Sequence, residues 1–132
     1  GTGKSFFAGC IANALLEQGV PVLMTNFARI LNTLTGMYSD DRNRFIESFN
    51  QYSLLIIDDL GTELNNSFVS SQLFYCINER IGRKKGTIIS TNLSMGMLKD
   101  TYSDRVTSRI MSNYRVIPLY GADIRMKKRV FA

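Results

Sequence analysis

The sequence predicts an α/β protein, a parallel sheet flanked by helices, and three features of its 132 residues carry that expectation. Strand-like apolar runs alternate with helix-like amphipathic runs, the pattern of a parallel sheet with crossover helices. The run Gly3-Lys4-Ser5 opens the first helical stretch, where backbone N–H groups and the helix dipole favour a phosphate. The segment "LLIIDD" is continuously apolar until it ends in Asp58 and Asp59, as in a strand buried on both faces that delivers acids to a sheet edge.

The elements follow in order. "SFFAGCIANALLEQG" places Phe6, Phe7, Cys10, Ile11, Ala14 and Leu15 at helical spacing, and Gly19 stops the helix. "VPVLMTN" is a short apolar strand. "FARILNTLTGMY" is a helix with Phe27, Ile30, Leu31 and Leu34 on one face, and "DDRNRFIESFNQ" turns from polar to amphipathic. After the acidic strand, "NSFVSSQLFYCINERIGRKK" is a long helix with Phe68, Leu73, Phe74, Cys76 and Ile77 inside. "GTIISTNLS" is a second buried strand, "SDRVTSRIMSN" a helix, "YRVIPLYG" a strand and "ADIRMKKR" a basic terminal segment. Pro21 and Pro118 lie at or within strands, which marks those strands as edges or irregular. Residues 1–132 read as one domain, with no repeat, low-complexity tract or long linker.

Composition narrows the function classes. Hydrophobic residues make up 45% and charged residues 20%, as expected for a soluble globular protein. No apolar run approaches the roughly 18 residues of a membrane helix. There is no histidine, which excludes histidine-based catalysis and ordinary zinc sites. Cys10 and Cys76 are isolated residues on apolar helix faces, so two buried, reduced thiols and a cytoplasmic protein are expected. Charge is uneven: residues 1–79 hold four Lys/Arg against eight Asp/Glu, and residues 80–132 hold twelve against three. The basic second half suggests a polyanionic partner, nucleic acid first. Arg80, Arg83, Lys84 and Lys85 also suit a helix C-terminus, where cations complement the dipole.

The phosphate-loop pattern is G-x-x-x-x-G-K-[ST], and Gly1, Thr2, Gly3, Lys4 and Ser5 fill its last five places. Lysine there reaches the β- and γ-phosphates and the hydroxyl binds Mg2+. The first glycine and the strand before it are expected upstream of Gly1, so the chain reads as an internal segment of a longer protein that begins inside the loop. Asp58 fits a Mg2+ acid and Asp59 a residue that places the attacking water, with Glu63 a weaker candidate nearby. Asp58-Asp59-Leu60-Gly61 also reads D-x-x-G, but Asn92-Leu93-Ser94-Met95 lacks the lysine and aspartate of a guanine-reading N-K-x-D, which excludes a GTPase. Ser90, Thr91 and Asn92 place polar groups beside the acids, and Asn92 suits a γ-phosphate or water sensor.

GTGKS, LLIIDDLGTE, STNL, SDRVTSRI and GADIR, in this order, resemble the DnaC/DnaI-type helicase-loader ATPases of the AAA+ P-loop class, whose transposition-associated IstB relatives share the pattern. The resemblance covers essentially the whole chain. It implies a P-loop NTPase (AAA+) fold, and ATP and Mg2+ as nucleotide and cofactor. It implies Walker A roles for Gly1 to Ser5, Walker B roles for Asp58 and Asp59, and a sensor role for Asn92. Arg109 matches the arginine finger that enters a neighbouring subunit's site, Arg105 shares its helix face, and Arg125 is similar to the sensor 2 arginine. ATPase activity is expected once the upstream strand is restored. The implied partners are single-stranded DNA, a replicative helicase and further copies of the chain. An IstB-type transposition helper and a non-hydrolysing DNA- or protein-binding module are the alternatives. Tyr75, Tyr102, Tyr114 and Tyr120 are candidates for base stacking, though core packing suits most of them better.

Overall fold

The computed structural model describes the backbone of residues 2–61, 66–121 and 124–131, and the side chains of residues 3–61 and 66–117. Glu63 and Gly1 lie outside the described residues, as do the side chains of Thr2, Tyr120 and Arg125. Helix α1 spans Thr2–Glu17 and leads to strand β1 (Val22–Asn26). Helices α2 (Phe27–Leu34) and α3 (Ser39–Glu47) and a 3-10 turn at Ser48–Gln51 connect it to β2 (Leu54–Leu60). Helix α4 (Ser67–Gly82) crosses to β3 (Gly86–Thr91). Helices α5 (Met95–Thr101) and α6 (Asp104–Asn113) precede β4 (Arg115–Gly121) and β5 (Ile124–Phe131).

The sheet order is β1-β2-β3-β5-β4. Strands β1, β2 and β3 are parallel, as expected of crossover connections. Beside this parallel core, "YRVIPLYG" and the basic segment after it form an antiparallel hairpin, and β5 lies antiparallel against β3. A short hairpin connection can only join antiparallel neighbours, and Gly121 pairs with Ile124 directly across it. Both proline-bearing segments are at sheet edges: Pro21 precedes edge strand β1, and Pro118 lies in edge strand β4.

Polar caps set the helix starts. The side chains of Asn26, Asn66, Ser94 and Ser103 accept the backbone N–H three residues on, and so begin α2, α4, α5 and α6. The central strands are apolar on both faces because both are covered. Leu55, Ile57 and Ile89 join Phe27, Ile30, Leu34, Leu73, Ile77, Val106 and Ile110 in the larger core. Ile56 and Ile88 face the other way, against Ala8 and Ala12 of α1.

That second layer corrects the expected face of α1. Phe6 is 75% exposed, Phe7 43%, and Cys10 is also exposed. The buried stripe is Lys4, Ala8 and Ala12, with Ile11 packed beside it. The small side chains let the helix lie close to the sheet, and the same stripe carries Lys4 inward. In α4, Val69 rather than Phe68 faces the core, and Arg80 is buried at 1% exposure. Arg80 is therefore neither a solvated helix-end cation nor a free contact for a polyanion.

Only Cys76 is a buried thiol; Cys10 and Cys76 are both free. Burial pushes the Cys76 thiol from its ordinary value near 9 up to about 12, and the Tyr114 hydroxyl likewise to about 12. Both groups are neutral in the folded chain. Their contribution is complete below about pH 9 and is lost as pH rises toward 12, where only the unfolded chain ionises freely. Stability from urea midpoints is expected to fall by about 2–3 kcal/mol between pH 8 and pH 10.5, and by less in Cys76→Ala. In native buffer a thiol reagent is expected to modify Cys10 alone, with Cys76 reacting only on unfolding.

Candidate functional site

The carboxyl ends of β2 and β3 and the start of α1 meet at one place. Lys4 is 2% exposed, and its Nζ donates to Asn92 Oδ1 at 2.7 Å. Ser5 Oγ donates to Asp58 Oδ2 at 2.6 Å. Asp58 ends the register with β1, opposite Asn26, and Asn92 directly follows β3. Residues 53 and 88 positions apart in sequence thus form two adjacent pairs. The geometry follows from the topology: in an open α/β sheet, loops at the carboxyl ends of neighbouring strands converge beside a helix N-terminus.

Lys4 Nζ donates here to a neutral amide oxygen, and a phosphate oxygen, a stronger acceptor, can take the amide's place. The Ser5 hydroxyl and Asp58 carboxylate offer the hard oxygen ligands that Mg2+ takes, one carboxylate and one hydroxyl with phosphates and water completing the shell. These residues therefore fit the ion. Among the described residues there is no group of three or more His, Cys, Asp or Glu that would hold a metal by itself, so an ion here would need ligands from the bound nucleotide and water.

Asp59 is exposed, with φ of 59°, in the left-handed region. Its backbone N–H donates to Ser90 Oγ at 2.9 Å, and Ser90 Oγ donates to Asp58 Oδ1. Thr91 Oγ1 donates to Leu60 O at 2.7 Å. Gly61, at φ of 106°, turns the chain against Leu93: a Cβ there would come within 2.6 Å of Leu93 Cδ1. Ser90 stood out in the sequence only as a polar residue near the acids; its bonds to both of them depend on strand register, which residue type does not encode.

The arginine candidates lie on α6 and β5. Arg105 and Arg109 are exposed on α6, with guanidinium carbons 4.1 Å and 5.9 Å from the centre of the Phe74 ring on α4. Both stack on one aromatic, a cation–π arrangement that holds the pair on one surface. Arg125 lies in β5 upstream of Lys128, which pairs with Thr91, so the antiparallel strand carries Arg125 past the carboxyl end of β3. Tyr102 and Tyr114 are buried in the core, which removes both from a stacking role, and Tyr75 is half-buried against it. Among the described residues no helix is long and apolar enough to cross a membrane.

The model of the family described as IstB-like ATP binding protein matches residues 1–132. The uncharacterized protein YdaV of Escherichia coli (strain K12) is 25% identical over 115 residues, covering 86% of this chain and 46% of YdaV. The replicative helicase loader DnaC of Buchnera aphidicola (subsp. Baizongia pistaciae) is 25% identical over 114 residues, covering 83% of this chain and 46% of that protein. DnaC of E. coli (strain K12) is 25% identical over 113 residues with the same coverage. The chain spans about half the length of these curated relatives. A three-stranded parallel sheet flanked by helices, a lysine–serine helix start beside a strand-end aspartate, and a family match over the whole chain lead to one assignment: the chain belongs to the IstB-like ATP-binding protein family.

Proposed function

We propose that residues 1–132 are the AAA+ core of a helicase-loader-like ATPase. It binds ATP with Mg2+ between subunits and couples hydrolysis to single-stranded DNA and a replicative helicase. The observation that carries this reading is the pairing of Lys4 with Asn92 and of Ser5 with Asp58 at one sheet edge. Backbone N–H groups in the first turn of α1, beside Lys4, wrap phosphate oxygens. Lys4 exchanges Asn92 for a phosphate oxygen, and Asn92 is then released to orient the attacking water. Asp59 takes the same water from the other side. Ser5 and Asp58 hold Mg2+, which when bound neutralises charge on the phosphates. Arg109 stabilises transition-state charge in a neighbouring subunit's site, where a permanently charged, forked donor is worth most. Arg125 contacts the nucleotide of its own site.

A shared site makes a distinctive prediction. Lys4→Ala and Arg109→Ala are each expected to be inactive alone. Mixed in equal amounts they regain measurable ATP hydrolysis, because some interfaces pair an intact loop with an intact finger. Mixtures as inactive as their components would overturn the shared site. On the DNA side, exposed Arg83, Lys84, Arg105 and Arg115 supply phosphate contacts and Arg80 does not. Affinity for single-stranded DNA is expected to fall with log[salt] at a slope of about −0.7 per phosphate contact.

An IstB-type transposition helper is the second reading of the same chemistry, with a transposase as client in place of a helicase. Pull-down of a transposase rather than a helicase, in the presence of ATP, decides between them.

A further inference from the structure

We infer that Ser90 is a positioning residue for the acidic pair: its buried hydroxyl aims the Asp58 carboxylate and anchors the backbone bulge that presents Asp59. This inference rests on the proposed ATP·Mg2+ reading of the site.

The register shows why a special device is needed. Ile57 is opposite Ile89, and Leu60 is opposite Thr91. Strand β2 therefore spends one residue more than β3 over this stretch, and Asp58 and Asp59 both face the single residue Ser90. In a regular strand consecutive side chains point to opposite faces, which would separate the two acids. A bulge breaks that alternation and re-aims a side chain, here with Asp59 at φ of 59°. It also takes the Asp59 N–H out of the regular ladder. Ser90 Oγ accepts that N–H at 2.9 Å, in place of a ladder carbonyl.

The hydroxyl has one proton and two lone pairs. With the Asp59 N–H on a lone pair, its proton goes to Asp58 Oδ1. Asp58 is then gripped on one oxygen by Ser90, while its other oxygen, Oδ2, receives Ser5 Oγ at 2.6 Å. One side chain, 0% exposed, thus fixes both the rotation of the first carboxylate and the backbone beneath the second. The neighbouring Thr91 shows the ordinary alternative. Its hydroxyl is also buried in β3, but it donates to a strand carbonyl, Leu60 O, accepts the Leu93 N–H at 3.1 Å, and serves the fold.

The test separates orientation from stability. In the longest natural form of the protein, nucleotide affinity is measured with excess EDTA and then across a Mg2+ titration. Ser90→Ala is expected to keep its EDTA affinity within about twofold and to need about 10-fold more Mg2+ at the midpoint, the low end of what outer-shell partners of metal ligands usually contribute. Ser90→Thr, which keeps the hydroxyl, restores the wild-type midpoint. Thr91→Val is expected to lower the melting temperature and leave the Mg2+ midpoint in place. If Ser90→Ala does not fold, Ser90→Cys, similar in size but a poor hydrogen-bonding group, carries the same comparison. A wild-type Mg2+ midpoint in Ser90→Ala or Ser90→Cys overturns the inference, as does a Thr91→Val midpoint shifted equally. A wild-type protein whose affinity does not respond to Mg2+ overturns the ATP·Mg2+ reading itself, a result distinct from either.

Discussion

Lys4→Ala is expected to weaken nucleotide binding and to lower ATP turnover by about 100-fold or more, the scale on which a single preorganised donor to a reacting group contributes. The reason lies in the burial of the ammonium. Lys4 sits on the buried stripe of α1 at 2% exposure, one helical turn before Ala8, and is held against Asn92 rather than water. Little of its hydration remains to be lost when a phosphate arrives, so the new ion pair forms at low cost. Alanine is a good helix former and continues the stripe of Ala8 and Ala12, so the fold is expected to survive. The melting temperature checks that. A variant that folds, binds no nucleotide and still binds single-stranded DNA places the nucleotide at Lys4. A wild-type protein that hydrolyses nothing, with DNA binding equal in both forms, favours the non-hydrolysing module.

Arg80→Ala is expected to cost about 3 kcal/mol or more of stability and to lower the melting temperature by roughly 10 °C. The guanidinium is a hub. Nη1 donates to Phe49 O at 2.7 Å and Tyr52 O at 3.0 Å, Nη2 to Gly86 O, and Nε to Thr87 Oγ1 at 3.1 Å. It ties the end of α4 to the turn before β2 and to the first residues of β3. Burial lowers its pKa from the ordinary arginine value, but a guanidinium starts so high that it stays charged. Removing it leaves buried carbonyls without donors, the expensive half of a lost hydrogen bond. Lysine is expected to rescue little, because a single ammonium cannot span acceptors arranged for a planar fork. Urea midpoints of Arg80→Ala, Arg80→Lys and Arg83→Ala give the comparison. Arg83 is exposed, with a 3.8 Å pair to Glu79, and is expected to change stability by less than about 1 kcal/mol.

How much was legible in the sequence depended on which physical signal each element carries. Strands β2 and β3 were legible because burial on both faces leaves an unbroken apolar run, and α2 because Phe27, Ile30 and Leu34 repeat at helical spacing. Helix α1 was found but turned to the wrong face. Its large residues Phe6 and Phe7 outweighed Ala8 and Ala12, although close packing on a sheet selects small side chains. Helix α5 was missed because seven residues with one buried side chain, Leu98, carry almost no period. Strand β5 read as a basic tail because "IRMKKRVF" lacks the apolar run of a two-face-buried strand.

The candidate site was legible as residue types at element ends. Lys4, Ser5, Asp58 and Asn92 were singled out as residue types at element ends, and the structure brings those four together. Ser90 needed the register, since only the extra residue between Ile57 and Leu60 sets both acids opposite it. Arg80 looked like any helix-end cation, because two of the three carbonyls that capture it come from segments 28 and 31 residues away.

The most direct test is a calorimetric titration of ATP and of GTP, each with Mg2+, into residues 1–132, into a form extended upstream of Gly1, and into the Lys4→Ala variant of that form. The account predicts saturable ATP binding in the extended form, weaker GTP binding, and neither in Lys4→Ala. Equal binding of ATP in the extended form and its Lys4→Ala variant, or no binding in any form, would contradict it.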